Sequence, residues 1–450
     1  MAGRSAAEQV DASLRRIAAL DDRVGAFATV LADPARAEAA ERDRGGARGP
    51  LHGVPLGVKD NIDTVGVATT AGVPYRAGCL PQRDAEAVAA LKRAGAVMVG
   101  KTTMHELAFG GTSQNLYHGP ARNPWDLGRT PGGSSGGSAC AVAAAMVPLA
   151  LGTDTGGSVR IPAALTGIYG LRPTRRLLGA RGVVPVAPSL DTVGLFARTA
   201  AELAALLDGA AGTATGPALA GFEPAGLRVG IAGGFFRAGV DPEVLAAVDA
   251  LAEALAGIGM QPIPVELAAA EELFEATRAL LWSEAFAAHE GALRDHADAL
   301  PPRVRGRLEG GAAVSGAEYA RSREWIRGWR RTVAATLAEV DLVLSPTTGA
   351  TAPTVEEAEA VEDERLLTRF THPWSFDRGP SLSVPCGFDR RGLPIGAHLF
   401  GRPGAEATLL GVAAAYEGLT DWTRRLPPLV EGADHDPKLP PPDETCIDPP

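Results

Sequence analysis

Residues 131–162 read PGGSSGGSACAVAAAMVPLALGTDTGGSVRIP. Two glycine-rich turns, Gly132-Gly133-Ser134-Ser135-Gly136-Gly137-Ser138 and Gly152-Thr153-Asp154-Thr155-Gly156-Gly157-Ser158, flank one alanine-rich apolar segment. Glycine serves backbone that takes positive φ or comes close to a ligand. Backbone N–H groups and serine hydroxyls are therefore expected to converge on one small site. The apolar run 139–151 contains Pro148 and is too short for the roughly 20 residues of a membrane span. It reads as helix and then strand, buried behind the site.

Outward from this block, strand and helix signals alternate along the chain. Helices are predicted over residues 6–20, 34–44, 84–95, 199–208, 242–258 and 406–419, with a long arginine-rich helical stretch over 271–331. Strands are predicted at 51–58, 97–100, 165–171, 181–186, 227–232, 340–344, 382–386 and 394–400. Residues 209–224, rich in Gly, Ala, Thr and Pro, read as an exposed connection, and 356–364 as an acidic solvated face. The alternation predicts one large α/β domain over 1–430. Residues 431–450 are Pro-rich and polar and read as a poorly ordered tail.

Bulk properties narrow the function. The chain has 450 residues, 46% hydrophobic and 21% charged, with net charge −10 and pI near 5.4. An acidic balance disfavours nucleic-acid and anionic-membrane partners. The N-terminus is charged throughout, without the apolar core of a signal peptide. Cys79, Cys140, Cys386 and Cys446 form no CxxC pair, so neither a metal set nor a disulfide framework is expected, and the predicted setting is cytoplasmic. None of the eight histidines sits in an HxxxH arrangement, so metal-assisted hydrolysis is not expected, and no cofactor is expected.

Upstream lies Gly57-Val58-Lys59-Asp60-Asn61, a lysine at the end of an apolar run. With the two turns, it makes the sequence resemble the amidase signature family, serine amidohydrolases with a Ser–Ser–Lys triad. The resemblance runs from about residue 22 to residue 425 and is densest between 51 and 194. It implies a twisted mixed β-sheet with helices on both faces and a small-molecule amide substrate.

An amide is a poor electrophile with a poor leaving group. Its hydrolysis needs an activated nucleophile, a proton for the departing nitrogen and donors for the oxyanion. Ser158 is the candidate nucleophile, at the end of a run of small residues. The N–H groups of Thr155, Gly156, Gly157 and Ser158 are candidates for the oxyanion hole. Ser134 is the second triad member by resemblance, following a cis Gly133–Ser134 peptide bond, and it would relay a proton. On chemistry alone Ser135 and Ser138 compete for that role.

Lys59 is the candidate base. The chain has only four lysines, Lys59, Lys92, Lys101 and Lys438, and lysine, unlike arginine, can lose its proton when desolvated. Its pKa must fall by about three pH units to act near neutrality, which burial can supply. A salt bridge of Lys59 to Asp60 is the competing reading, and Lys101, placed before a helix start at Thr102-Thr103, is the rival lysine. Asp154 with Arg160, and the Ser189-Leu190-Asp191 turn, read as braces for the loops.

The resemblance puts Phe109, Gly110, Trp374, Asp377 and Arg378 on the substrate side. A looser resemblance, in Phe235-Phe236-Arg237 and Pro373-Trp374-Ser375-Phe376, is to carboxybiuret hydrolases, which gives the alternative reading of a ureide hydrolase working with a small accessory subunit; a homodimer is the other partner expectation. The glutaminase subunit of tRNA-dependent amidotransferases is a further branch. It usually carries Gln where this chain has Ile161. A degenerate binding scaffold is the non-enzyme reading, against which all three triad positions are filled.

Overall fold

The strand Leu149–Asp154 lacks polar alternation because both of its faces are covered. Leu149 and Leu151 enter one core and Ala150 the opposite one. The same division recurs in a neighbouring strand, where Leu195 and Ala197 point one way and Phe196 the other. The computed structural model describes residues 4–46, 49–363 and 366–433.

Eleven strands form one sheet: β1 (Phe27–Val30), β2 (Pro55–Lys59), β3 (Val97–Thr102), β4 (Leu149–Asp154), β5 (Tyr169–Arg172), β6 (Thr192–Ala197), β7 (Arg228–Ala232), β8 (Gln261–Val265), β9 (Leu342–Pro346), β10 (Ser381–Phe388) and β11 (Pro394–Gly401). Their order is β1-β3-β2-β4-β6-β5-β10-β11-β9-β7-β8. Parallel pairing joins β3, β2 and β4 at one end and β9, β7 and β8 at the other. The middle is antiparallel. The fold is thus α/β, a mixed sheet with helices on both faces.

The helices follow from their apolar stripes. Ala6–Val24 starts at a capping box, in which Ser5 and Glu8 satisfy each other's backbone N–H. It buries Val10, Leu14, Ile17 and Leu20 in the same core as the alanine-rich helix Gly136–Ala143. Glu86–Ala94 and Ala200–Ala211 bury Val88, Leu91, Leu203, Leu206 and Leu207 in the other core. β2 and β4 are parallel neighbours, so Lys59 and Asp154, their last residues, end at the same edge of the sheet. That edge, outside the carboxyl ends of parallel strands, is the usual location for a crevice.

Several local expectations are corrected. Residues 165–171 are not all sheet: Arg160–Thr166 is a helix closed by Gly167 at φ 72, and β5 begins only at Tyr169. Residues 181–186 lie outside the sheet, and Val183 makes only an isolated bridge to Ile62. The connection 209–224 is partly folded. Asp208 accepts from the N–H groups of Thr215 and Gly216, starting the short helix Thr215–Leu219. β1, β6 and β8 are additions to the expected strands, and β6 lies between β4 and β5 near the middle of the sheet. Lys101 is inside β3, not ahead of a helix. The stretch 271–331 resolves into Ala270–Ala276, Arg278–His296, Pro302–Ala312 and Gly316–Glu339. The helix Pro428–Ala433 takes in the first residues of the expected tail, and 434–450 lies outside the described residues.

Candidate active site

Lys59 is fully buried at the end of β2. Its Nζ donates to Oγ of Ser134 at 2.7 Å and to Oγ1 of Thr153 at 2.8 Å. Desolvation pushes the amine down to about 7, against the opposing pull of the Asp154 and Asp191 carboxylates. Asp60 is not its partner. Asp60 lies 3.4 Å from Nζ of Lys101, which also donates to the Ile62 carbonyl at 2.7 Å and to Thr69 Oγ1. Lys101 therefore braces the loop after β2.

Ser134 follows a cis peptide bond from Gly133 and leads into Gly136–Ala143. A Cβ on Gly137 would lie 2.4 Å from the Thr103 carbonyl, so only glycine lets this helix start so close to the end of β3. The structure separates the three serines. Ser135 Oγ donates to the Thr153 carbonyl at 3.2 Å, and Ser138 Oγ to the Leu151 carbonyl at 2.9 Å. Both tie the helix to β4, and Ser134 alone of the three meets Lys59.

The second turn is organised by Asp154. Its carboxylate accepts from the N–H groups of Gly157 and Val159 and from Nε and Nη2 of Arg160, with Arg172 Nε 3.3 Å away. Burial alone would raise this carboxyl, but Arg160 and Arg172 outweigh it and hold it well below the usual range. Arg160 reaches on to the Thr371 carbonyl and Ser375 Oγ. Thr155 Oγ1 donates to Asp191 at 2.6 Å, and Asp191 also accepts from the N–H groups of Val186 and Ala187. Burial pushes Asp191 up to about 6, although these three donors oppose it. The two turns meet directly, since Ser135 N–H donates to the Ser158 carbonyl at 3.2 Å.

One expected oxyanion donor is withdrawn. The N–H of Gly157 is engaged by Asp154 at 3.0 Å. Gly157 has φ +134, and a Cβ there would lie 2.1 Å from Thr371 Oγ1, so its role is to let the turn pass under Thr371. Among the described residues, the N–H groups of Gly156 and Ser158 make no hydrogen bond.

Ser158, Thr155, Gly156 and Gly133 border a cavity of about 350 Å³. Phe109 and Gly110 line it. Trp374, Asp377 and Arg378 do not. Trp374 is fully buried, with ring centroids 4.6 Å from Phe400 and 5.1 Å from Phe236. Its ring belongs to the large core on one face of the sheet. Asp377 instead caps its own turn, accepting from the N–H groups of Arg378 and Gly379. The opposite wall is one that sequence reasoning missed: Arg278, Leu281 and Trp282 come from one helix, Arg303 and Arg307 from the next. Arg307 donates to the Phe109 carbonyl and lies 5.6 Å over the Phe109 ring. The arginine-rich composition of this stretch is visible in the sequence, but not which face turns inward.

Among the described residues, no three His, Cys, Asp or Glu side chains gather as a metal-holding set, and no helix is long and apolar enough to cross a membrane.

A glutamyl-tRNA(Gln) amidotransferase subunit from Roseiflexus sp. (strain RS-1) is 39% identical over 465 residues, covering 94% of each chain. A solved structure from a vestigial protein complex, described as revealing the evolutionary origins of an s-triazine catabolic enzyme, is 34% identical with a TM-score of 0.87. The alignment covers 92% of this chain and 95% of that one. The 6-aminohexanoate cyclic dimer hydrolase, solved with its substrate, is 28% identical with a TM-score of 0.88, over 95% and 96%. A family model for amidases matches residues 8–410. That span takes in β2, both serine turns and the helices of the opposite wall together, and the chain is a member of the amidase family.

Proposed function

We propose that this amidase-family hydrolase cleaves the C–N bond of a small carboxamide through an acyl-enzyme on Ser158, with Ser134 and Lys59 as its proton relay. The observation that carries the reading is the 2.7 Å contact between Lys59 and Ser134, made by an amine that burial pushes down to about 7. Neutral Lys59 takes the Ser134 proton as Ser134 takes that of Ser158. Ser158 Oγ attacks the carbonyl. The tetrahedral oxyanion is met by the N–H groups of Gly156 and Ser158, with Thr155 beside them. Each such donor is worth about 3 kcal/mol. Ser134 returns a proton to the leaving nitrogen, and water clears the acyl group by the reverse relay.

The pocket favours an amide that also carries an anionic group. Arg278, Arg303 and Arg307 line it, with Phe109 and Trp282 as apolar walls. Guanidinium groups match carboxylates in two-point hydrogen bonding. Two more specific readings fit that chemistry. The identity to the amidotransferase favours a glutaminase that hands ammonia to a partner, although Ile161 stands where that branch usually has Gln. The likeness to the s-triazine-related complex favours a ureide carboxylate hydrolase that works with a small accessory protein. The same proposal includes a single amidase domain over 1–430 and a cytoplasmic setting.

A fluorophosphonate probe should label Ser158 in the wild type and nothing in Ser158→Ala. Ammonia release is then measured from primary amides, glutamine and ureide carboxylates. Absence of labelling together with no ammonia from any of them would leave a binding scaffold as the remaining reading.

A further inference from the structure

On a protein of net charge −10, one cavity is lined by Arg175, Arg176, Arg323, Arg327, Arg330 and Arg378. It measures about 310 Å³ and is separate from the catalytic pocket. The arginines come from three places in the fold: the loop after β5, one face of Gly316–Glu339, and the turn after Phe376. The Arg175 N–H donates to the Arg378 carbonyl at 3.0 Å, and Arg330 Nε to the Phe376 carbonyl at 2.8 Å. Those bonds fix the three guanidinium-bearing segments to one another.

The charges are not internally neutralised. Arg327 is paired with Glu324. Among the described residues, Arg175, Arg176, Arg323, Arg330 and Arg378 form no ion pair. Arg175 faces the charges of Arg176, Arg330 and Arg378 against one carboxylate, Glu284. Arg330 faces Arg378 and Arg323 against Asp377. Burial first, and these like charges second, push both below the ordinary arginine range. The nearby carboxylates are already engaged: Glu284 accepts from Tyr319 Oη and the Ser189 N–H, and Asp377 from its own turn. Ser189 Oγ, buried without a hydrogen-bond partner, adds a neutral donor, and Leu190, Leu280, Tyr319 and Ile326 make up the rest of the lining.

We infer that this arginine-lined cavity is a second ligand site, built for a compact, multiply charged phosphate-type oxyanion. Guanidinium forks recognise phosphate oxygens in pairs, and several unneutralised ones around one small space, Arg175 and Arg330 half-buried and Arg176, Arg323 and Arg378 at its exposed rim, suit an anion carrying more than one charge. The inference is independent of which amide the catalytic pocket takes. Two sources share this chemistry, free inorganic polyphosphate and the phosphoryl groups of a nucleotide.

Isothermal titration calorimetry on the full chain, with phosphate, pyrophosphate and ADP in turn, tests the site. Pyrophosphate should bind saturably at one site per chain, at least about tenfold tighter than phosphate, and more weakly as salt rises. Arg330→Gln/Arg378→Gln should weaken it at least tenfold, while Arg278→Gln in the catalytic pocket leaves it unchanged. ADP binding tighter than pyrophosphate identifies a nucleotide, and equal or weaker binding the inorganic anion. The exposed single variant Arg176→Gln, expected to cost about threefold, replaces the double variant if that one fails to fold. No saturable pyrophosphate binding, or binding that these arginine substitutions leave intact, overturns the inference.

Discussion

Thr155 Oγ1 donates to the Asp191 carboxylate at 2.6 Å. Through that bond the loop bearing Ser158 is fixed to a turn far along the chain, and a buried negative charge is set where Lys59 feels it. Asp191→Asn removes the charge and keeps an acceptor. Because Asp191 pulls the Lys59 pKa upward, its loss should move the acid limb of kcat/KM to lower pH with a modest change in kcat. Asp191→Ala should add a roughly hundredfold loss of kcat from misplacement of the loop. A pH–rate profile of both variants checks this, and an acid limb that stays in place or moves to higher pH refutes it.

Lys59, Ser134 and Ser158 should behave as a unit. Lys59→Ala and Ser158→Ala should each cost about 10⁴-fold or more in kcat, with Ser134→Ala leaving slightly more activity. For the wild type, kcat/KM should rise through an apparent pKa near 7 as Lys59 deprotonates. Stability carries the same signature. The folded pKa lies below the unfolded value of 10.5, so between about pH 7 and 10 the unfolded chain binds more protons and this group's contribution to stability rises with pH. Urea unfolding of wild type against Lys59→Met at pH 7, 8 and 9 isolates that slope, which should vanish in the variant.

Asp154 neutralises two buried guanidinium groups and holds the second turn at the same time. Asp154→Ala strands Arg160 and Arg172 and should cost about 3–5 kcal/mol. Urea melts read the loss directly. A cost below about 1 kcal/mol would mean that the arginines find other partners.

Gly157 has no room for a side chain beneath Thr371. Gly157→Ala should therefore reduce kcat at least about a hundredfold by displacing the Ser158 loop, with the thermal midpoint lowered by only a few degrees. Parallel kinetics and thermal melts distinguish a local displacement from general unfolding.

If Arg278 and Arg303 recognise an anionic group, Arg278→Gln and Arg303→Gln should raise KM for a carboxylate-bearing amide about tenfold or more and leave a neutral amide nearly unaffected. Equal effects on both substrates would assign these arginines to the frame of the pocket.

The sheet is unevenly legible in the sequence. β2, β3, β7, β10 and β11 carry compact apolar runs with clear ends, so their existence can be read directly. β6, Thr-Val-Gly-Leu-Phe-Ala, has the same character but sits just after the Ser189–Asp191 turn and is hidden by it. Its glycine weakens any local strand preference, and it becomes a strand because β4 and β5 pair with it on both sides. Trp374 reads as a substrate residue because its segment resembles one near such sites. The ring stacks of Phe236 and Phe400 take it into the core instead.

By itself the sequence determined which side chains were available for chemistry. A lysine ending a buried strand and serines among glycines follow from local composition and backbone freedom, which are properties of adjacent residues. Only the tertiary structure decided which serine meets Lys59, which N–H groups stay unengaged, and which arginines face the pocket. Each of those depends on the register of strands and helices distant in sequence, and a hydrogen bond discriminates at a few tenths of an ångström, finer than any spacing along the chain can specify.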